Sequence, residues 1–330
     1  MPTDVIDSDV DADFVALADP YRRELYAHCY RMLGSVHDAE DLVQETYLRA
    51  WRGYQKFEGR SSLRTWLHRI ATTACLTALE GRGRRPLPTG LGASSSDPTA
   101  ELVERQEIPW LEPIPRSMVD HPADPASIAE SRAGIRLALI AALQHLPPRQ
   151  RAVLILCEVL KWRAAEVATA LDTTTASVNS LLQRARAQLD KLAPAQEEVA
   201  EPTDAVRRAM LDRYVDAFQD YDLAALSEMF TENAVWEMPP FTGWYQGPAA
   251  IRSLIEHNCP AKHPRDLMMT RTEANGQVAG AQYLLDNDTG EHTAFSLHVL
   301  TFDADRIAHV TVFFDLSLFE VFGLPRVWRG

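Results

Sequence analysis

Between residues 81 and 127 the hydrophobic periodicity of this chain fails, and that failure divides what lies on either side. Gly81, Gly83, Pro86, Pro88, Gly90, Gly92, Ser94–Ser96 and Pro98 open the interval, and Pro109, Pro113, Pro115, Pro122 and Pro125 continue it. Residues without a Cβ or without a backbone N–H at this density interrupt helix and strand alike, so the interval reads as a linker. Its segment Ile108-Pro-Trp-Leu-Glu-Pro-Ile-Pro115 combines a large aromatic with three prolines, a composition suited to docking in extended form against a surface. A Pro-rich tether with an incidental Trp is the plainer alternative.

On the N-terminal side, from Pro20 to about Gly81, apolar positions recur at helical spacing, as in Leu25, Cys29, Met32 and Leu33, then Leu63, Trp66, Leu67 and Ile70. The spacing predicts a small helical bundle. It returns from about Ser127 to Leu192, broken at Pro147-Pro148 and near Asp172-Thr-Thr-Thr175, which predicts a second helical module. From about Thr203 the pattern changes. Two amphipathic helices, roughly Asp204–Gln219 and Leu223–Phe230, precede alternating segments at Ala234–Met238, Leu267–Ala274, Val278–Asp286, His292–Phe302 and Arg306–Phe314. Helices followed by antiparallel strands predict an α+β domain. A chain of 330 residues accommodates these three folded units, and 46% hydrophobic with 24% charged residues excludes wholesale disorder.

The net charge of −13 would argue against a nucleic-acid partner if it were uniform. It is not. Residues 1–19 hold six acidic and no basic side chains, residues 20–85 hold 12 basic and 7 acidic, and residues 86–131 hold 2 basic and 8 acidic. Residues 132–192 then hold 9 basic and 4 acidic, and residues 193–330 hold 10 basic and 21 acidic. Two basic modules alternate with three acidic segments, and fields act locally. The four cysteines, Cys29, Cys75, Cys157 and Cys259, show no metal-ligand or disulfide-framework spacing, so a reducing cytoplasm and no metal are expected. Apolar runs such as Leu137–Leu143 are too short to cross a bilayer, and no membrane partner is expected.

Within the second module, Ala164–Leu171, Asp172–Thr175 and Ser177–Leu189 have helix-turn-helix spacing. The early residues of such a second helix face base edges and its later basic residues face phosphate. Ser177, Asn179, Ser180 and Gln183 followed by Arg184 and Arg186 fit that order, although a helical hairpin with a solvated face has a similar pattern.

The first module discriminates. Asp38-Ala-Glu-Asp-Leu-Val-Gln-Glu-Thr-Tyr-Leu-Arg-Ala-Trp51, Phe57-Glu-Gly-Arg-Ser-Ser-Leu-Arg-Thr-Trp-Leu-His-Arg-Ile-Ala71 and Leu146-Pro-Pro-Arg-Gln-Arg-Ala-Val-Leu154 occur in one order along Tyr21–Arg85 and Ala138–Leu192. In these segments the chain resembles the extracytoplasmic-function sigma factors, the two-domain initiation subunits of bacterial RNA polymerase. The resemblance implies an acidic tail at 1–19, sigma region 2 at 20–85, an acidic linker at 86–131 and sigma region 4 at 132–193. It also implies RNA polymerase core and promoter DNA as partners.

By that resemblance the helix carrying Asp38, Asp41, Leu42, Gln44, Glu45, Leu48 and Arg49 packs on the clamp helices of the polymerase's largest subunit. The segment Glu58–Thr77 melts and reads the minus-ten element, with Arg60, Ser61, Ser62, Arg64, Trp66, His68, Arg69 and Thr73 as candidate contacts. Packing in the core is the alternative for Trp66 and is favoured for Leu67 and Ile70. Thr73 and Thr77 stand where the family often has Asn and Asp. Thr175, Ala176, Ser177, Asn179, Ser180, Gln183, Arg184 and Arg186 are the candidate minus-thirty-five contacts. The linker resembles the connector that runs through the polymerase toward its active-site channel.

The C-terminal segment, 203–330, resembles the SnoaL-like members of the NTF2/ketosteroid-isomerase superfamily through Tyr214, Asp222-Leu-Ala-Ala-Leu226, Phe230-Thr-Glu-Asn-Ala-Val-Trp-Glu-Met-Pro239 and Trp244-Tyr-Gln-Gly-Pro248. The expected fold is therefore multidomain: two all-α sigma domains, the second with a helix-turn-helix, then an α+β NTF2-like cone. The cone implies a pocket for a small apolar ligand, with Tyr214, Trp236, Met238, Phe241, Trp244, Tyr245, Phe295 and His298 as candidate lining. The isomerase base falls at Met238, a thioether that accepts no proton, so no catalytic residue and no cofactor are assigned. Glu237, Asp315, His257 and His298 stay open as alternative bases. The reading is a sigma factor whose C-terminal domain regulates it in cis. A ligand-responsive helix-turn-helix repressor or activator, and an isomerase or cyclase fused to a DNA-binding region, are the alternatives.

Overall fold

A computed structural model describes residues 14–119, 134–192 and 203–329. Cα packing separates two units, one drawn from the stretches Met1–Arg84 and Ser117–Ala193, the other from Arg85–Arg116 and Pro194–Gly330. Most of the acidic tail, linker residues 120–133 and the acidic stretch Gln196–Glu201 lie outside the described residues.

In the first unit α1 (Arg22–Leu33), α2 (Val36–Tyr54) and α3 (Leu63–Ala78) form a three-helix bundle. Gly34 closes α1 in the left-handed conformation at φ 70°, a geometry that costs glycine little. Ser35 and Ser62 cap α2 and α3 by accepting from the amides of Asp38 and Thr65. Leu25, Cys29, Met32, Ala39, Leu67 and Cys75 are fully buried between the helices, as the 3.6-residue spacing requires. The second module is made of α4 (Leu137–Gln144), α5 (Pro148–Leu154) with a π-helical turn Ile155–Val159, α6 (Ala164–Ala170) and α7 (Thr175–Leu192).

The two helical modules are not independent bodies. Arg151 is buried and donates to the carbonyl of Met32 in α1, to Gln144 Oε1 at 2.7 Å, and to the carbonyls of Gln144 and Leu146. Arg31 Nε donates to the carbonyl of Gly134 at 2.8 Å. Burial lowers the pKa of both guanidiniums to about 10.

The second unit holds a six-stranded sheet ordered β2-β1-β6-β5-β4-β3, from β1 (Phe230–Glu237), β2 (Trp244–Gln246), β3 (Leu267–Ala274), β4 (Gln277–Leu285), β5 (His292–Asp303) and β6 (Arg306–Phe313). Helices α8 (Asp204–Gln219), α9 (Leu223–Glu228), α10 (Pro248–Asn258) and α11 (Ser317–Val321) accompany it. The expected antiparallel sheet is corrected at one place: β1 and β6 run parallel, because the chain passes from β1 through β2, α10 and strands β3–β5 before returning beside it. The curved sheet and α8–α10 enclose one hydrophobic core that includes Tyr214, Phe218, Trp236, Ile251 and Val310.

Candidate nucleic-acid interface and C-terminal cavity

The residues assigned to the polymerase contact share α2. Asp41, Gln44, Leu48 and Arg49 are exposed, while Asp38, Leu42 and Glu45 are partly so. Leu48 retains 49% of its accessible surface and Trp51, one helical turn on, 40%. Arg49 pairs with Glu45 at 2.7 Å along the same face, and Asp38 pairs with Arg82 at 3.1 Å. An apolar pair flanked by charges on one exposed helix face suits a protein partner.

The minus-ten candidates divide. Arg60, Ser61, Ser62, Arg69 and Thr73 are exposed, with Arg60 held by Glu58 and the Ser62 hydroxyl spent on the helix cap. Arg64 donates to Glu24 through Nε and Nη2, so its charge is already satisfied within the bundle. Trp66 is half-buried with its ring 4.8 Å from that of Phe57, which favours the packing alternative. His68 corrects the expectation. It is fully buried, its Nδ1 lies 2.9 Å from the Arg64 carbonyl, and the ring of Trp162 from the second module covers it at 6.3 Å. Burial lowers its pKa, although Glu24 opposes the shift. A side chain in that position reaches no phosphate.

The helix-turn-helix is α6, a turn in which Asp172 takes φ 49°, and α7. Thr174 caps α7 by accepting from the amide of Ser177 at 3.2 Å, so the helix begins two residues earlier than the spacing predicts. Val167, Leu171, Val178 and Ala185 are buried on its inner side. Thr175, Ala176, Asn179, Ser180, Gln183, Arg184 and Arg186 stand exposed on the other, with Ser177 partly so. Arg186 is ion-paired with Glu158; Arg184 Nε donates to the Ser180 carbonyl at 3.3 Å. Polar groups at the start of an open helix face followed by guanidiniums form an arrangement able to read base edges and bind phosphate.

The linker docks, and its surface is the C-terminal domain. Leu111 and Ile114 are fully buried. The Ile114 amide donates to Asn275 Oδ1 at 3.0 Å and the Ile114 carbonyl accepts from the Asn275 amide at 2.9 Å, so the β3–β4 turn clips the segment. Asn275 and Gly276, at φ 54° and 67°, give that turn the left-handed pair a tight hairpin needs. Arg116 pairs with Glu273 at 2.9 Å. Upstream, Val103 accepts from the Thr242 amide and Arg105 donates to the Pro240 carbonyl, each at 3.0 Å, adding a short strand-like contact. The Thr89 amide donates at 3.0 Å to Oε2 of Glu237, whose Oε1 accepts from His309 at 2.7 Å and Thr311 at 3.1 Å. Burial pushes the Glu237 carboxyl up, but the His309 ring and the hydrogen bonds from His309 and Thr89 outweigh it and hold the pKa below the usual value.

Beside the linker, the domain forms a partly open cavity of about 260 Å³. Of the expected lining, Trp236, Met238, Phe241, Phe295 and His298 face it, joined by Phe218, Gln282, Cys259 and, from the linker, Leu102. Three assignments are corrected. Trp244 Nε1 donates to the Gly92 carbonyl at 2.9 Å and so serves the linker, and Tyr245 follows it on the edge strand β2. Tyr214 lies one layer behind, fully buried with its hydroxyl 2.8 Å from His298 Nδ1. Burial lowers the His298 pKa to about 3, which keeps the ring neutral. Of the alternative bases, Glu237 is committed to Thr89, His309 and Thr311; Asp315 accepts from Ser317; and His257 Nδ1 lies at the Ser253 carbonyl.

Family profiles match the chain in three places: Sigma-70 region 2 over residues 17–85, Sigma-70 region 4 over 136–189, and a SnoaL-like domain over 211–310. The ECF RNA polymerase sigma factor SigG of Mycobacterium tuberculosis (strain ATCC 25618 / H37Rv) is 59% identical over 314 residues, covering 95% of this chain and 84% of that one. The ECF RNA polymerase sigma factor SigE of Mycolicibacterium smegmatis is 32% identical over 178 residues, 54% of this chain and 60% of that one. Among solved structures, the M. tuberculosis extracytoplasmic function sigma factor SigJ superposes with a TM-score of 0.61 at 19% identity, covering 94% of this chain and 99% of that one, a likeness of fold. With 59% identity to one relative across nearly its whole length, and with both sigma-70 regions preceding a SnoaL-like domain, this chain belongs to the extracytoplasmic-function sigma factors of RNA polymerase.

Proposed function

We propose that the protein binds RNA polymerase core through the α2 face, reads promoter DNA through α3 and α7, and is controlled in cis by its C-terminal domain, which holds the linker. The carrying observation is the docked linker: from Thr89 to Arg116 its backbone and side chains are bonded to Glu237, Trp244, Pro240, Thr242, Asn275 and Glu273. A segment so occupied is not at the same time free to run through a polymerase channel, so docking and engagement compete for the same residues. No chemistry is assigned to the domain. Met238 stands at the isomerase-base position, and the described cavity walls carry no carboxylate.

Run-off transcription with purified core polymerase on a library of promoter fragments tests this. Product that depends on the full chain is expected; none, from folded protein, refutes the sigma reading. An Asn275→Gly variant, which removes the side chain that accepts from the Ile114 amide, is expected to change the yield at equal occupancy of core. Equal yields at every promoter would refute control through the linker.

A further inference from the structure

The seam between the two helical modules runs over a pair of buried imidazoles. His28 and His68 are both fully buried, with ring centroids 5.4 Å apart. Thr72 spends its hydroxyl proton on the His68 carbonyl at 2.7 Å, so its oxygen can only accept from His28 Nε2 at 2.9 Å. The Arg64 carbonyl likewise accepts from His68 Nδ1 at 2.9 Å. Burial keeps both rings neutral, so the second nitrogen of each, Nδ1 of His28 and Nε2 of His68, is a bare lone pair. Neither has a donor among the described residues.

The second module closes this site. Trp162, a member of its core, lies 6.3 Å from the His68 ring, and Leu76 of α3 packs on the same core. Arg151 donates to the Met32 carbonyl and Arg31 to the Gly134 carbonyl, which completes the seam. The seam is poorly satisfied: Gln144 Nε2 and Arg151 Nε are buried without acceptors among the described residues, and opening it would hydrate them. Its charges are unbalanced as well. Arg31 acts on both rings, while Arg64 and Glu24 act on His68, Glu24 Oε1 standing 3.8 Å from Nε2 and already holding Arg64. Across the seam, the Arg151 charge acts on Cys75, and exposed Lys161 and Arg163 flank Trp162. The inward faces of α2 and α4 bring no charge: their buried residues include Thr46 and Gln144 but no acid or base.

We propose that the His28–His68 pair is an acid-released latch: the packed modules hold both rings neutral, and protonation of His68, followed by His28, favours a state in which the second module has parted from α1 and α3. A proton on His68 Nε2 gains water only once Trp162 has left. Its charge also repels Arg31, which is itself one of the bonds across the seam. Protons therefore bind the parted state better than the packed one, and that difference shifts the equilibrium. The latch concerns the seam alone and does not rest on the promoter reading or the cis control proposed above.

The test uses the full chain with spin labels, introduced through noncanonical residues, at Lys56 and Ala187, which are exposed on the first and second modules. Pulsed electron resonance then reads the ratio of parted to packed modules as pH is lowered. An uncovered histidine titrates at about 6.5, so between about pH 7.5 and 5.5 the ratio should rise about tenfold through His68 alone and about a hundredfold once His28 protonates too. His68→Gln should divide that rise by about ten, and the double variant with His28→Gln should abolish it, both at unchanged helix content. Where either variant fails to fold, imidazole 15N spectra of the unaltered chain decide: the packed population should keep one proton on each ring, and imidazolium should appear only with the parted one. A rise of less than about twofold, the same rise in the double variant, imidazolium in the packed population, or loss of helix in step with separation would each overturn the latch.

Discussion

Asn275→Gly tests the linker clip. The substitution keeps the φ of 54° accessible, since glycine adopts the left-handed region freely, and it retains the Asn275 amide that donates to the Ile114 carbonyl. It removes the whole carboxamide, and with its Oδ1 the 3.0 Å acceptor of the fully buried Ile114 amide. A buried donor stranded in this way costs about 1–3 kcal/mol, which shifts the docking equilibrium of the linker about 5- to 150-fold toward the detached state. Hydrogen exchange should therefore accelerate by that factor at Ile114, and also at Leu111, whose amide donates to the Pro86 carbonyl at 3.1 Å within the same docked segment. Amides in the centre of β4 and β5 should keep their rates, because the sheet is not opened. A change at Ile114 of less than about twofold would refute the clip as a determinant of docking. An equal acceleration throughout the sheet would show that the variant loosens the whole domain, and the inference that the linker detaches as its own unit would fail.

Arg184→Ala should weaken promoter binding across sequences and reduce the salt slope by about one phosphate contact, while Glu158→Gln, which releases Arg186 from its ion pair, should strengthen binding and steepen the slope; salt titrations of promoter affinity check both. Asn179→Ala or Gln183→Ala should relax base preference at one promoter position by about 1–3 kcal/mol, read by competition among single-base variants; uniform loss over all variants would contradict base readout. His28 and His68 are buried with pKa values lowered chiefly by burial, so both should stay neutral in the folded chain below pH 6.5 while the unfolded chain takes up protons. Stability should then be full above about pH 6.5 and fall on acidification by up to ~1.4 kcal/mol per pH unit for each histidine. Imidazole resonances of the folded chain that titrate near 6.5 at both positions would contradict this.

The helices were legible in the residues because their causes are local. Spacing of 3.6, serine and threonine caps and the Pro147-Pro148 break act within a few positions, and the exposed sides of α2 and α7 followed from the same periodicity. The later strands were equally visible through alternation. Three-residue β2 escaped because a segment that short carries no period, and the parallel β1–β6 pair escaped because its partner lies some seventy residues away. Distance in sequence explains the remaining corrections too. Nothing near His68 announces that Trp162 will cover it, and nothing near Trp244 or Tyr245 distinguishes a cavity wall from a linker contact. The linker's apolar residues showed that it would dock, yet its partner, Asn275, stands 161 positions from Ile114. Local patterns are written in the conformational preferences of neighbouring residues, whereas the destination of a linker and the polarity of a cavity arise only when chain closure brings distant side chains within hydrogen-bonding range.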